Sequence, residues 1–279
     1  MSGATAGGPV TRGVRRSAVG AGRGAGTTPV SRMAALARAE LALLGRSRAT
    51  LVTAVLVPLA LPFSLRSVVD EMDVGEAGLT VGVVLLPAAI GFSLLFGVYG
   101  ALTGIYTARR EELVLKRLRT GELRDAEVLA GSALPVLATG LVQCLVLAAA
   151  CTAFLDVPAP EAPHLAVLGV LLGLVMCAAL AAVTASLTRT VESAQVTTMP
   201  FVLVSMVASG VTVPLELLPD RVASLCGLLP LSPVVTLVRG GWTGDLSASG
   251  TLVALATALA WTVAAVFAVR RWFRWEPRR

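Results

Sequence analysis

Residues that carry chemistry are scarce in this sequence. A single histidine, His164, and a single lysine, Lys116, stand among 279 residues, and only 14% of the side chains are charged. One histidine removes the commonest general base. Lys116 lies in a run of charged and aliphatic residues, so the chain has no Gly-x-x-x-x-Gly-Lys-Ser/Thr loop with which to hold a nucleotide. A His-Glu-x-x-His helix, a Gly-x-Ser-x-Gly elbow and paired membrane aspartates are missing too, which leaves intramembrane protease or transferase chemistry without its parts. The four cysteines, Cys144, Cys151, Cys177 and Cys226, show no metal-ligand spacing and read as small core residues. His164 reads as an interfacial polar residue. No catalytic residue, resident metal or directly bound cofactor is expected.

What the chain does contain is apolar. Hydrophobic residues make up 56% of it, and the mean hydropathy is +0.81. A soluble domain of this size could not cover so much apolar surface. The long runs are continuous and do not alternate, which selects membrane helices of about 20 residues over barrel strands. Six spans are predicted, at about 49–65, 79–105, 129–155, 164–187, 196–213 and 250–269. Pro87, Pro135 and Pro200 fall inside three of them, which lipid tolerates where neighbouring helices satisfy the freed carbonyls.

The rest of the chain is organised around these spans. Residues 1–31 are Gly-, Ala- and Thr-rich, carry several arginines and no apolar run, and are expected to be a disordered basic tail. Residues 32–48 pattern as an amphipathic surface helix, with Met33, Leu36, Leu41 and Leu44 on one face and Arg38 and Arg46 on the other. A transmembrane domain of 32–272 is followed by a basic tail, 273–279. With the N-terminus inside, twenty basic side chains fall on the cytoplasmic side and only Arg66, Arg221 and Arg239 on the other. Both termini are therefore expected inside. The stretch Pro214–Gly244 is apolar but broken by Pro230 and Pro233, and a seventh crossing would put the C-terminal arginines outside. It is expected to form two short helices that dip into the outer leaflet and return. Asp220 is the expected cap of the first, and Ser232 with Pro233 the expected start of the second.

Energy is the next question. The spans lack the mid-membrane acids or bases that ion- and proton-coupled carriers use, and the charged rings of a simple channel are absent too. A partner acting from outside the bilayer is the remaining source. The loop after the second span suits such a partner. Arg109–Arg119 patterns as a short helix, with Val114, Leu115 and Leu118 as an apolar edge and Glu112 and Lys116 as an i, i+4 pair. Thr120-Gly121 breaks it, and a second helix from near Asp125 runs into the third span.

These segments resemble the membrane subunit of type-2 ABC exporters, a family of drug, lipid and polysaccharide efflux permeases. The resemblance lies in Arg-Arg-Glu-Glu-Leu-x-Leu-Lys-Arg-Leu-Arg-Thr-Gly at 109–121 and Glu127-Val-Leu-Ala-Gly131 leading into a span. Pro214-Leu-Glu-Leu-Leu-Pro219, Leu229-Pro-Leu-Ser-Pro233 and Val238-Arg239-Gly240 follow late in the chain. The resemblance implies a coupling helix seated in a separate cytoplasmic ABC ATPase through Glu111, Glu112, Val114, Leu115, Lys116 and Leu118. It further implies ATP and Mg²⁺ held by that partner, and a second copy or sister subunit completing a twelve-helix pore in the plasma membrane. Nucleic acid is not an expected partner. Arg124 departs from the pattern, where a Ser-type cap is common.

Two small-residue spacings, Gly100-x-x-x-Gly104 and Gly169-x-x-x-Gly173, are expected to pack helices closely. Ser93, Tyr99, Gln143, Thr197, Thr198 and Ser205 are the candidate pathway residues, each able instead to bond a neighbouring helix. A membrane scaffold that recruits a cytoplasmic protein without transporting anything is the alternative reading. A neighbouring gene encoding an ABC ATPase would favour the exporter.

Overall fold

The computed structural model describes residues 80–113, 125–155, 157–212 and 218–273, together with Ala60, Ser64 and Leu215. The predicted surface helix, the first span, both basic tails and most of the 109–121 segment lie outside the described residues. Among those described, every regular element is helical. Five helices are long and apolar enough to cross a membrane, and a sixth crossing is possible if one bent pair counts as a span.

The first of these, α1, runs Val81–Glu111 and corresponds to the predicted second span. It is followed by α2 (Asp125–Phe154), α3 (Pro163–Leu187), α4 (Val191–Ala208), α5 (Asp220–Gly227), α6 (Ser232–Thr243) and α7 (Ala248–Trp272). Pro87, Pro135 and Pro200 sit inside α1, α2 and α4 as expected. The helix predicted to begin near Asp125 and the third span form one 30-residue helix.

Helix starts are set by short polar side chains, as the orphan N–H groups of a first turn require. Thr80 caps α1 by accepting from Val83 N at 3.4 Å. Ser247 caps α7 by accepting from Gly250 N at 3.1 Å. At α4, Thr190 Oγ1 accepts from Ser193 N at 3.2 Å and Ser193 Oγ accepts from Thr190 N at 3.0 Å. This reciprocal pair starts the helix five residues before the predicted 196. Thr190→Ala should therefore destabilise the protein by about 1 kcal/mol, read as a lower melting temperature in detergent, with Thr190→Ser close to wild type.

Burial is uneven in a way that suits a membrane bundle. From Gly82 to Leu95 every residue of α1 is buried, whereas α7 buries only Ala254, Ala258 and Ala265. Large apolar side chains such as Leu145, Val204, Leu252 and Phe267 stay exposed on α2, α4 and α7. In water such faces would drive association; in lipid they cost nothing. The most intimate packing brings α6 against α3. There Gly241 O accepts a hydrogen bond from Ala162 N at 2.9 Å.

The bent pair corrects part of the expectation for Pro214–Gly244. Helices α5 and α6 meet at 104°; α6 starts at Ser232 with Pro233 in its first turn, as expected, but α5 does not start on its predicted cap. Asp220 is the first residue of α5, behind Pro219, and makes no capping bond. Ser232 opens α6, but its hydroxyl instead donates across the bend to Cys226 O at 2.5 Å. Trp261 Nε1 of α7 donates to Leu228 O at 2.8 Å. At the bend Cys226 O thus accepts both from Leu229 N, at 3.1 Å, and from Ser232, while Leu228 O is satisfied by Trp261.

Candidate functional site

The predicted Arg109–Arg119 helix does not begin at Arg109. Helix α1 continues through Arg109 and Arg110 to Glu111, Glu112 caps it, and Leu113 takes a left-handed conformation with φ of 58°. Nothing in the sequence of 101–111 breaks a helix, and Thr103 and Thr107 bond back to Tyr99 O and Thr103 O, each at 2.8 Å. A leucine at positive φ costs roughly 1–2 kcal/mol, and the helix end just before this turn is fixed by its surroundings.

Those surroundings are three different helices. Consecutive residues of a helix point about 100° apart, so Arg109, Arg110 and Glu111 reach three neighbours. Arg109 Nη1 donates to Ser132 Oγ of α2 at 2.6 Å, and that hydroxyl donates in turn to Val128 O at 2.8 Å. Arg110, only 1% exposed, donates from Nη1 to Ala185 O at 2.7 Å and from Nη2 to Thr188 O at the end of α3. Its cation thus faces the negative end of a helix dipole. Glu111 Oε2 accepts from Val191 N, the first residue of α4, at 3.4 Å. This anion sits at a positive helix end. The end of α1 is therefore tied at once to the start of α2, the end of α3 and the start of α4.

A cleft of about 430 Å³ lies between α1 and α4. Phe96, Gly100 and Gly104 line it from α1, and Gln195, Thr198 and Met199 from α4. Its walls are mostly apolar, with Gln195 and Thr198 supplying the polar groups. Along Ser93–Gly100 the α1 backbone is π-helical, a wider winding often found at functional sites.

A family model described as ABC-2 type transporter matches residues 32–242, a stretch containing α1 to α5 and all but the last residue of α6. The chain belongs to that family. No curated protein matches it. As an ABC-2 transporter it is a multi-pass membrane permease. The family is the transmembrane component of its transporters, lacks a nucleotide-binding domain, and generally works with a cytoplasmic ABC ATPase.

The residues singled out from the sequence of this ABC-2 transporter are distributed as follows. Of the coupling set, Glu111 contacts α4 and Glu112 is exposed; Val114, Leu115, Lys116 and Leu118 lie outside the described residues. Ser93 Oγ donates to Gln143 Oε1 at 3.1 Å, with both side chains buried between α1 and α2. Tyr99 OH bonds Thr184 Oγ1 at 3.0 Å, and its ring lies 4.6 Å from that of Phe201. Thr197 donates to Ser193 O at 2.9 Å. Thr198 lines the cleft and donates to Gln195 O at 2.8 Å. Ser205 Oγ is buried without a hydrogen-bond partner among the described residues.

The glycines divide into two kinds. A Cβ at Gly169 would meet Leu237 Cβ at 2.9 Å, and one at Gly173 would meet Leu94 Cδ1 at 2.7 Å. At Gly104 the space is open, with nothing within 4 Å of an added Cβ, and one at Gly100 would meet Leu95 O at an ordinary 3.5 Å. This pair leaves the α1–α4 cleft unfilled. Sequence reasoning missed Phe96, Gln195 and Met199. The i, i+3, i+4 spacing of Gln195, Thr198 and Met199 was the available signal for a shared face. His164 is exposed on the first turn of α3, and Cys144, Cys151 and Cys177 are buried free thiols.

Proposed function

We propose that this ABC-2 transporter is the membrane subunit of an ATP-driven exporter. With a separate cytoplasmic ATPase, which holds ATP and Mg²⁺, it moves a hydrophobic or amphipathic compound of drug, lipid or glycan type out of the cell. The observation that carries this reading is the three-way attachment of Arg109, Arg110 and Glu111 to α2, α3 and α4. A push on the segment that follows would move the ends of three spans together. Glu111, Glu112, Val114, Leu115, Lys116 and Leu118 are the residues assigned to the ATPase contact. The arginine asymmetry supports a plasma-membrane topology with both termini inside and the α5–α6 pair as a re-entrant hairpin in the outer leaflet.

A second copy or a sister subunit completes the pore, and the α1–α4 cleft forms part of its wall, with Thr198 and Gln195 as polar contacts for the cargo. ATP drives the cycle only by favouring one arrangement of the spans over the other. Two variants examine the two halves of the proposal in liposomes containing permease and ATPase. Replacing Glu111, Glu112 and Leu115 together by alanine should weaken ATPase binding and efflux alike; if both stayed at wild-type levels, the coupling role would be refuted. Gly104→Phe places a ring in the open cleft. It should lower efflux about tenfold or more, equivalent to about 1.4 kcal/mol on the barrier, while ATPase binding is retained. Normal efflux by Gly104→Phe would remove the cleft from the pathway.

A further inference from the structure

A second cavity, also of about 430 Å³, opens between α2, α3 and α7 and shares no lining residue with the α1–α4 cleft. Its walls are apolar, among them Leu134 and Leu137 of α2, Ala179 of α3 and Val266 of α7. The polar residues in its lining are Tyr106 and Arg270. Tyr106 is engaged, its hydroxyl donating to Leu129 O at 3.2 Å. Arg270 stands in the last turn of α7, exposed, and among the described residues it has no hydrogen-bond or ion-pair partner. The cation lines the cavity from the last turn of α7, where Arg271 follows it, and the apolar residues make up the rest of the wall.

Water fits such a space poorly, because a buried water needs two to four polar partners. An alkyl chain fits it well, and the volume lies within the range of about 300–1,000 Å³ typical of ligand sites. The charge at the mouth then selects the headgroup. Arg109 and Arg110 are engaged by Ser132 and by the α3 carbonyls, which leaves Arg270 to face a headgroup phosphate. We propose that this cavity holds one anionic phospholipid, with an acyl chain between Leu134, Leu137 and Val266 and its phosphate on Arg270. Helix α7 packs on α3 and α6, and the lipid would lie between its basic end and α2. The site requires only that the chain crosses a membrane, and it stands whether or not the export reading holds.

The test uses the full chain in nanodiscs of phosphatidylcholine with a minor fraction of phosphatidylglycerol, with retained lipid counted by native mass spectrometry. Wild type should keep one phosphatidylglycerol per chain in preference to phosphatidylcholine. R270Q should lower that preference about fivefold, the effect of one arginine at the membrane surface, and Arg271→Gln should have the smaller effect. Ala179→Phe, which fills the cavity, should remove the retained lipid. Added inorganic phosphate should not displace it, because the chain contributes to binding. R270Q alters only an exposed side chain, so its result stands even if Ala179→Phe misfolds. Equal retention by wild type and R270Q, no headgroup preference in wild type, or displacement by phosphate would each overturn the proposal.

Discussion

Arg110→Ala lowers the melting temperature in detergent and stops ATP-driven efflux at temperatures where the variant is still folded. Both effects follow from the same side chain. The guanidinium is buried and bonds two carbonyls at the C-terminal end of α3, Ala185 O and Thr188 O. These belong to the last turn and its cap, where no intrahelical N–H is available. Alanine leaves both acceptors without that donor in apolar surroundings, at about 1–3 kcal/mol for each unsatisfied group, so a loss of about 2–6 kcal/mol is expected. Arg110→Lys should recover less than half of it. An ammonium is a point donor on a more flexible stem and does not present the planar fork that spans two carbonyls.

The transport loss separates a mechanical role from a merely stabilising one. With Arg110 gone, a push beyond Glu112 would still move α1 but no longer carry α3 with it. A second variant that lowers the melting temperature equally at a distant site, such as Val170→Ala in the α3 core, should keep its efflux below the melting point. Should Arg110→Ala also transport normally there, the three-way attachment would be structural only.

How far this could be read in advance differs between the spans and their ends. Apolar runs marked the five described crossings, and Leu187 ends α3 where the run ends. The end of α1 misled because Arg109 and Arg110 look like the edge of the membrane. Lipid ends where charges begin, but a hydrogen-bonded helix ends only where its backbone turns, here at Leu113. That Arg110 folds back onto α3 is a tertiary fact with no local signature. The polar residues of the spans show the same limit. Ser93, Tyr99 and Gln143 were conspicuous in apolar runs, yet the sequence holds no periodicity to say which face each occupies, since lipid-facing and helix-facing surfaces are both apolar. All three face neighbouring helices. By contrast, the start of α4 was legible in principle. Thr190 and Ser193 have the spacing of a capping box, with serine in the place usually taken by Glu or Gln.

The close backbone approach of α6 to α3 carries the other large effect. A Cβ at Gly241 would lie 2.6 Å from Ala166 N and 2.9 Å from Ala166 Cα. Because these are backbone atoms, no rotamer change relieves the contact, and α6 has to withdraw from α3. Withdrawal strains the bond from Ala162 N to Gly241 O, and it loosens Leu237 and Val234 where they fill the spaces left by Gly169 and Gly173. In lipid the pairing has no hydrophobic drive to restore it, because helices associate there through close packing itself. Gly241→Ala should cost about 1–3 kcal/mol, the usual penalty for overpacking a fitted contact, and Gly241→Leu should yield no folded protein. Gly104→Ala is the matched control. Its added methyl meets nothing within 4 Å, and replacing a helical glycine should be neutral or stabilising by up to about 1 kcal/mol. Melting temperatures that ranked Gly241→Ala with Gly104→Ala would show that α6 does not sit on α3 at this distance.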